Sequence, residues 1–400
     1  MNIQKDFPIF HNNPWLIFMD STSSTQKPSM VIDWVKDYLE NCYSNIHRWM
    51  YDIATKSEKA YDMSKKKVSE LIWANSHKEI IYTYNSTYAA NIITQSLRLS
   101  KKLKKWDKVL VSIVEHHANV VPWLILKEEI GIEIEYINLD ENYNLDFEDF
   151  EKKYDEKVKV ISMTHVSNVT GQIFDLERVW KLKREDTLFI VDGSQSIPHF
   201  KVDVKKLNAD FLFFTAHKIL ANSWIWVLWW KMELLKELKP IFSWGWAIWI
   251  VSEDSFSYAS IPDKFEPGTP NLSWAVSLLK AIEYIDIIWW FEKLEEIEKE
   301  LVEYSLEKFN KTDRIKIIWS TTPENRVGVF SFTIEWVHSN DVADIMAENN
   351  ICIRSWMHCA HPFLQKIDVA HTSRMSLYIY NTKDEIDRFF EVLNQILEEI

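Results

Sequence analysis

Glycine is scarce in this sequence. The 400 residues include 6 glycines, whereas an average usage of about 7% would give about 28. Tryptophan, usually among the rarest residues, occurs 20 times. Glycine normally occupies positions that need a positive φ or a close backbone approach. Six glycines are too few to occupy the turn positions of positive φ that a chain of this length normally has. The glycine deficit and the tryptophan excess therefore call for a common explanation.

Other shortages narrow the class of protein. Three cysteines exclude a disulfide framework and predict a reducing, cytoplasmic location with free thiols. The longest apolar run, residues 224–230, is too short to span a bilayer, so no membrane association is expected. Residues 1–10 lack an apolar signal core, so no secretory signal is expected. A net charge of -13 argues against a nucleic-acid partner.

Apolar strands and helical segments alternate through most of the chain. Strands are predicted at 80–83, 108–114, 132–137, 158–163, 187–191 and 210–214, with helical patterns between most of them. This order predicts an α/β fold with a parallel sheet covered by helices on both faces. Near-continuous apolar strands agree with burial of both faces.

Polar residues follow four successive strands of this predicted sheet. They are His116, Asn168, the pair Asp192 and Gln195, and the group Thr215, His217 and Lys218. Ligands bind at the carboxyl edge of open α/β sheets, so these side chains predict one site.

The residue types at this edge suit pyridoxal phosphate. A lysine can bind an aldehyde cofactor covalently, and a carboxylate on the neighbouring strand can pair with a protonated pyridine nitrogen. A histidine can stack on a flat ring. Ser86 and Thr87 open a helix, where hydroxyls either cap the helix or help to bind a phosphate.

The pattern changes after residue 285. Short strands and amphipathic helices then predict a smaller α+β domain. We therefore expect a large cofactor-binding domain at 15–285, and a small C-terminal domain at 286–400, together with 1–14, that carries Cys359.

Eight segments, in order along the chain, resemble motifs of the cysteine desulfurases in the class V aminotransferase superfamily. They are residues 45–48, 115–123, 164–168, 191–195, 215–218, 265–271, 354–360 and 373–376. The short spacing from Arg354 to Cys359, without a long inserted loop, is similar to group II, the SufS-type enzymes. The resemblance implies the fold of type I pyridoxal-phosphate-dependent transferases, with a large parallel-sheet domain and a smaller α+β domain.

The resemblance also implies a role for each matching residue. Lys218 would bind the cofactor covalently, Asp192 would pair with the ring nitrogen, Gln195 with the ring hydroxyl, and His116 would stack on the ring. The phosphate would be held by Ser86, Thr87, Thr215 and His217. Thr269 would complete the phosphate site of the other subunit of a homodimer. Arg374 would bind the substrate carboxylate, and Asn168 would contact both cofactor and substrate.

Cys359 determines the expected reaction. It lies in a polar stretch between His358 and His361, where a thiol can be partly exposed and ionised. Cys42 and Cys352 are expected to be structural. The resemblance implies conversion of L-cysteine to L-alanine, a persulfide on Cys359, and transfer of sulfur to an acceptor protein for iron–sulfur cluster assembly. A selenocysteine lyase, another class V lyase or transaminase, and a non-catalytic protein are the alternatives.

Tryptophan stands at many positions where this family has glycine. These positions are Trp49, Trp106, Trp224, Trp226, Trp244, Trp246, Trp274, Trp319 and Trp356. We predict that the gene uses UGA as a glycine codon, read here as tryptophan. The alternative is a tryptophan-rich protein with a remodelled site. Trp123 is expected to be native, because relatives also have tryptophan there. Trp15, Trp34 and Trp229 are left unassigned.

Overall fold

A computed structural model describes residues 3–47, 50–288 and 290–398 of the chain, without the side chains of 290–292. Arg48, from the first family-like motif, and Trp49 lie outside the described residues. The strands are β1 (Ile17–Phe18), β2 (Ile80–Thr83), β3 (Lys108–Ser112), β4 (Glu133–Ile137), β5 (Val158–Thr164), β6 (Leu188–Asp192), β7 (Phe211–Thr215), β8 (Trp226–Trp230), β9 (Ile248–Val251), β10 (Phe256–Tyr258), β11 (Ile315–Ile317), β12 (Val329–Ile334), β13 (Ile351–Cys352), β14 (Arg354–Trp356) and β15 (Thr372–Ser376).

Helices separate most of these strands. They are α1 (Pro8–Asn12), α2 (Ser29–Asn41), α3 (Asp52–Leu71), α4 (Ser86–Leu99), α5 (Val121–Ile130), α6 (Phe147–Lys153), α7 (Leu176–Leu182), α8 (Met232–Glu237), α9 (Leu272–Ile287), α10 (Trp290–Asn310), α11 (Ser339–Glu348), α12 (His361–Lys366) and α13 (Lys383–Glu398). No helix in the described ranges is long and apolar enough to cross a membrane.

The main sheet has seven strands in the order β2-β8-β7-β6-β5-β3-β4. The predicted α/β fold is confirmed, but the sheet is mixed rather than parallel, because β8 runs antiparallel to both β2 and β7. Parallel neighbours need a crossover of a dozen or more residues. The connection from β7 to β8, residues 216–225, is too short for one.

Both faces of this sheet are buried. Successive residues of β7 alternate between two apolar clusters: Phe211 and Phe213 belong to one, and Leu212 and Phe214 to the other. All four side chains are fully buried. Burial of one such side chain contributes about 1.5–3 kcal/mol, so this strand anchors the edge at which Lys218 follows.

A second, antiparallel sheet has the order β11-β12-β15-β14. The sequence predicts one short strand at 352–354, but the structure has two. Cys352 ends β13, which pairs with β1 near the start of the chain, and Arg354 begins β14, which pairs with β15. A local apolar pattern cannot predict this change of partner, because the partners are distant in sequence.

Six tryptophans adopt a positive φ: Trp73, Trp106, Trp224, Trp319, Trp336 and Trp356, at 58°, 74°, 68°, 86°, 68° and 97°. Among the described residues, they are six of the seventeen non-glycine residues with positive φ, although tryptophan supplies 20 of 400 residues. Trp73 and Trp336 are not among the glycine-like positions predicted from the sequence.

Several other tryptophans have ordinary backbone conformations. Trp226 lies in β8, Trp274 lies in α9, and Trp244 has an extended φ of -158°. Trp123 is buried in α5, as expected of a native tryptophan. The unassigned Trp229 is also buried, and its Nε1 donates to Glu79 Oε2 over 3.1 Å.

Candidate active site

A cavity of about 240 Å³ lies at the carboxyl edge of the main sheet. Eleven of the twelve predicted site residues line it: Ser86, Thr87, His116, Asn168, Asp192, Gln195, Thr215, His217, Lys218, Cys359 and Arg374. Thr269 is the exception. The two sheets therefore meet where the sequence predicted a site.

Lys218 occupies the short turn that follows β7. The pKa of its amine is lowered to about 8, chiefly by burial; Asp192 opposes the change, and the cations Arg374 and Arg354 contribute to it. About a tenth of the amine is therefore neutral at pH 7, far more than for an ordinary lysine. A neutral amine is the form that attacks a carbonyl carbon.

Asp192 is buried at the end of β6. Its Oδ1 accepts a hydrogen bond from the Ser194 amide over 2.9 Å. Burial raises the pKa of this carboxyl, although Ser194 and Lys218 oppose the rise. A protonated nitrogen beside Asp192 would relieve the desolvation of the carboxylate. Gln195 lies nearby and donates from Nε2 to Thr22 O over 3.0 Å, which orients its amide.

His116 enters the cavity after β3 as a neutral ring. Its pKa is lowered to about 3, chiefly by burial and in part by Lys218 and other nearby cations. Its Nδ1 accepts from the Ala118 amide over 3.1 Å, so Nε2 carries the ring proton. The structure therefore presents a flat, uncharged ring at this edge.

The start of α4 supplies the opposite wall. The sequence left open whether Ser86 and Thr87 cap this helix, and the structure assigns that role to Asn85, whose Oδ1 accepts from the Tyr88 amide over 2.6 Å. The hydroxyls of Ser86 and Thr87 are thus not needed as the cap and line the cavity instead. A helix start with hydroxyls and exposed N–H groups attracts anions.

The residues present fit pyridoxal phosphate. Thr215 Oγ1 and Arg374 Nε are buried without a hydrogen-bond partner in the described part of the chain. Because buried polar atoms normally have partners, these two are suited to an anionic ligand. Trp226 also lines the cavity, and its ring centroid lies 5.2 Å from that of His217. If residue 226 is tryptophan, its side chain narrows the end of the cavity that is predicted to bind the phosphate.

Arg374 is buried on β15 and rigidly held. It donates to the Asn168 carbonyl over 2.9 Å and to Asp20 Oδ1 over 3.0 Å. Burial lowers its pKa to about 10, so the guanidinium remains charged at neutral pH. The Asn168 amide in turn donates to the His358 carbonyl over 2.8 Å. The predicted carboxylate-binding arginine is thereby connected to the Cys359 segment.

Cys359 lies between β14 and α12 and is partly exposed, as the sequence predicts. Its φ of 56°, that of His358 at 49° and that of Trp356 at 97° are all positive. Such strain persists only where surrounding contacts hold the backbone, and it is frequent at functional sites. Cys42 and Cys352 lie outside this cavity.

Other lining residues were missed as site residues. Arg354 and His358 were named for their motif and their position relative to Cys359 but given no role, and Thr22 and Ser23 belong to a polar stretch that was given no role either. Arg354 could have been found from its charge, because it is the second arginine at this site. The Thr22 and Ser23 segment reaches the cavity only through tertiary packing, so no local signal identified it.

Glu115, also without an assigned role, is buried beneath the site. Its carboxylate accepts from the Thr164 amide over 2.8 Å, from Asn119 Nδ2 over 2.7 Å and from the Ser112 hydroxyl. Its pKa is nevertheless raised to about 8, chiefly by burial and in small part by Asp192, against these hydrogen bonds. Local sequence could not predict this, because the effect comes from burial.

Thr269 lines a separate small cavity, together with Trp224 and Tyr88. Its loop is anchored at Glu266, whose two carboxylate oxygens each lie 2.8 Å from the buried Lys65 Nζ. The Tyr82 amide donates to the same carboxylate over 2.6 Å. The structure thus keeps Thr269 away from the chain's own cavity, and its role towards another subunit stays a prediction.

Comparisons with known proteins agree over nearly the whole chain. A model of the family "Aminotransferase class-V" matches residues 17–389. The probable cysteine desulfurase of Halalkalibacterium halodurans is 33% identical over 99% of this chain and 97% of its own. That of Streptomyces coelicolor is 34% identical over 98% and 96%. The apo structure of a cysteine desulfurase from Thermococcus onnurineus NA1 matches with a TM-score of 0.94 and 31% identity, over 100% of this chain and 98% of that one. This chain therefore belongs to the class-V aminotransferase family.

Proposed function

We propose that the protein is a pyridoxal-phosphate-dependent cysteine desulfurase. It converts L-cysteine to L-alanine and retains the sulfur as a persulfide on Cys359. The observation that carries this proposal is that one cavity contains Lys218, Asp192, Arg374 and Cys359. The cysteine desulfurases among its relatives give independent support.

The cofactor-holding residues follow from the sequence prediction and their place in the cavity. Lys218 binds the cofactor covalently, Asp192, Gln195, His116 and Asn168 contact its ring, and Ser86, Thr87, Thr215 and His217 bind its phosphate. Pyridoxal phosphate, when bound, supplies an electron sink for the carbon atoms of the substrate.

The chain's own residues perform the remaining chemistry. Arg374 binds the substrate carboxylate through its planar guanidinium. The Lys218 amine, once released by the substrate, moves the Cα proton, a role suited to a pKa near 8. The Cys359 thiolate then forms a bond to the substrate sulfur as the bond from that sulfur to Cβ breaks. Cβ gains a proton, and alanine leaves.

We further propose a group II enzyme that passes sulfur to an acceptor protein for iron–sulfur cluster assembly in the cytoplasm. The support is the short Cys359 segment, which is tied to the cavity wall by a 2.8 Å hydrogen bond from the His117 amide to the Cys359 carbonyl. A thiol held there cannot travel far, so the acceptor must reach the cavity mouth. The division into domains at 15–285 and at 286–400 with 1–14 is retained within this proposal.

A homodimer is part of the same proposal. The hairpin of β9 and β10 exposes Trp249, Ile250, Val251 and Phe256, with 67%, 60%, 71% and 55% of their surfaces accessible. Contiguous exposed apolar residues of this kind mark interaction surfaces. The position of Thr269 outside the chain's own cavity is also what a residue serving the partner subunit requires.

We also propose that glycine is the native residue at the glycine-like tryptophan positions, through reading of UGA as glycine. The six tryptophans with positive φ support this, because a tryptophan is strained in such conformations and a glycine is not. Five of them, Trp73, Trp106, Trp224, Trp336 and Trp356, are more than half exposed, so burial does not compensate for the strain.

One experiment tests both the desulfurase activity and the reading of UGA as glycine. Protein from its native source is exposed to L-cysteine without reductant, and the tryptic peptide 355–366 is analysed by mass spectrometry. One added sulfur on Cys359 is expected, and the peptides of the same digest that contain Cys42 and Cys352 are expected to have none. Absence of added sulfur, with the cofactor bound, would indicate another lyase or a transaminase. The residue mass at position 356 is expected to be that of glycine, and a tryptophan mass would contradict recoding.

A further inference from the structure

Two histidines far apart in sequence meet beside Cys359. His117 follows β3 and His361 begins α12, 244 residues later. Their rings stack with centroids 4.5 Å apart, and His361 Nδ1 lies 2.9 Å from His117 Nε2. The His361 amide also donates to His117 Nε2, over 3.1 Å. Nothing in the proposed reaction uses either ring.

The hydrogen bonds determine which ring atoms carry protons. The His361 amide can only donate, so His117 Nε2 must be an unprotonated acceptor. His361 Nδ1 lies beside the same acceptor and therefore acts as a second donor. His117 is thus neutral with its proton on Nδ1, and the pair is a directed contact rather than two rings that happen to touch.

This contact holds one side of the Cys359 segment. The His117 amide also donates to the Cys359 carbonyl over 2.8 Å, so both the main chain and the side chain of His117 are engaged. On the other side of Cys359, the His358 ring hydrogen-bonds Thr372 Oγ1 over 2.8 Å, and Asn168 binds the His358 carbonyl. Cys359 itself has a positive φ, a conformation that needs such external support.

We propose that His361 and His117 are positioning residues that hold Cys359 where its thiolate reaches the substrate sulfur. The inference deepens the proposed function and rests on it. In the described structure the histidine pair makes no hydrogen bond to Arg374 or to a predicted cofactor residue, although the His117 ring centroid lies 6.5 Å from that of His116. Its loss should therefore slow sulfur attack without weakening substrate binding.

The test measures alanine release and persulfide formation by the cofactor-loaded enzyme. His361→Ala removes the donor, and kcat is expected to fall about 10- to 100-fold, because small misplacements of a reacting group have effects of this size. KM for L-cysteine is expected to stay within about twofold, since the arginine that binds the carboxylate is untouched. The matched control His77→Ala, at a partly buried histidine outside the cavity, is expected to retain the wild-type kcat.

Two conservative variants separate positioning from general structural damage. His361→Asn places an amide donor where Nδ1 lies, and His117→Gln places an amide oxygen where Nε2 lies. Both are expected to keep kcat within about threefold of wild type, because each restores one side of the hydrogen bond. Cofactor absorbance is recorded for every variant.

The outcomes distinguish this inference from the proposed function. A wild-type enzyme that forms no persulfide would refute the proposed function itself. A wild-type enzyme that forms persulfide, with His361→Ala equally fast, would overturn the positioning role and leave the desulfurase in place. Loss of activity in His361→Asn as severe as in His361→Ala would also overturn it, because the restored donor would then have had no effect.

Discussion

Replacing the six tryptophans of positive φ by glycine is expected to stabilise the fold. A side chain in the left-handed region is destabilising by about 1–2 kcal/mol per residue, which gives about 6–12 kcal/mol for six sites. Glycine's greater loss of chain entropy offsets about 0.5–1 kcal/mol per site. The expected net gain in the free energy of unfolding therefore lies between about 0 and 9 kcal/mol, centred on about 4–5 kcal/mol.

Urea unfolding measures this difference in the free energy of unfolding. It compares the protein with the printed sequence and the variant with glycine at all six positions, both loaded with cofactor. Trp123→Gly is the matched control, because Trp123 is buried in α5 with ordinary helical geometry. It should lower the free energy of unfolding by about 3–5 kcal/mol, as large-to-small changes in a core do. A six-glycine variant less stable than the literal sequence would refute the strain argument.

Three further predictions concern the site and its support. Lys65→Met should lower the free energy of unfolding by about 3–5 kcal/mol in urea titrations, because Glu266 would be left as an unpaired buried charge. The double variant Lys65→Met with Glu266→Gln should recover part of the lost stability. A loss below about 1 kcal/mol in Lys65→Met would contradict this prediction. Arg374→Lys should lower kcat/KM for L-cysteine about 10- to 100-fold, because lysine cannot bind the substrate carboxylate in bidentate fashion. An unchanged kcat/KM in steady-state assays would count against carboxylate binding by Arg374. Cofactor uptake by the apo-protein, followed by visible absorbance, should quicken as pH rises through the Lys218 pKa of about 8, where half of the amine is neutral, and level off above it. A rate independent of pH from about 6.5 to 9 would disagree with the lowered pKa.

The strength of the sequence predictions differed from element to element. The apolar run of β7 and the polar residues after it were predictable, because a buried strand and its end are local patterns. Neither the strand β8 nor its antiparallel direction was predicted, although the apolar run at 224–230 and the short connection after Lys218 were signals for them. Asn85 was not recognised as the cap of α4, because several cap-forming side chains follow one another there.

The sequence by itself determined the α/β class and the order of polar clusters along one sheet edge, and eleven of the twelve site residues predicted from it line one cavity. It could do so because strand ends and residue chemistry are encoded locally. Only the tertiary structure decided that His117 meets His361 and that Lys65 pairs with Glu266. These pairs depend on the packing of segments far apart in sequence, and so do the lowered pKa values that burial gives Lys218 and His116.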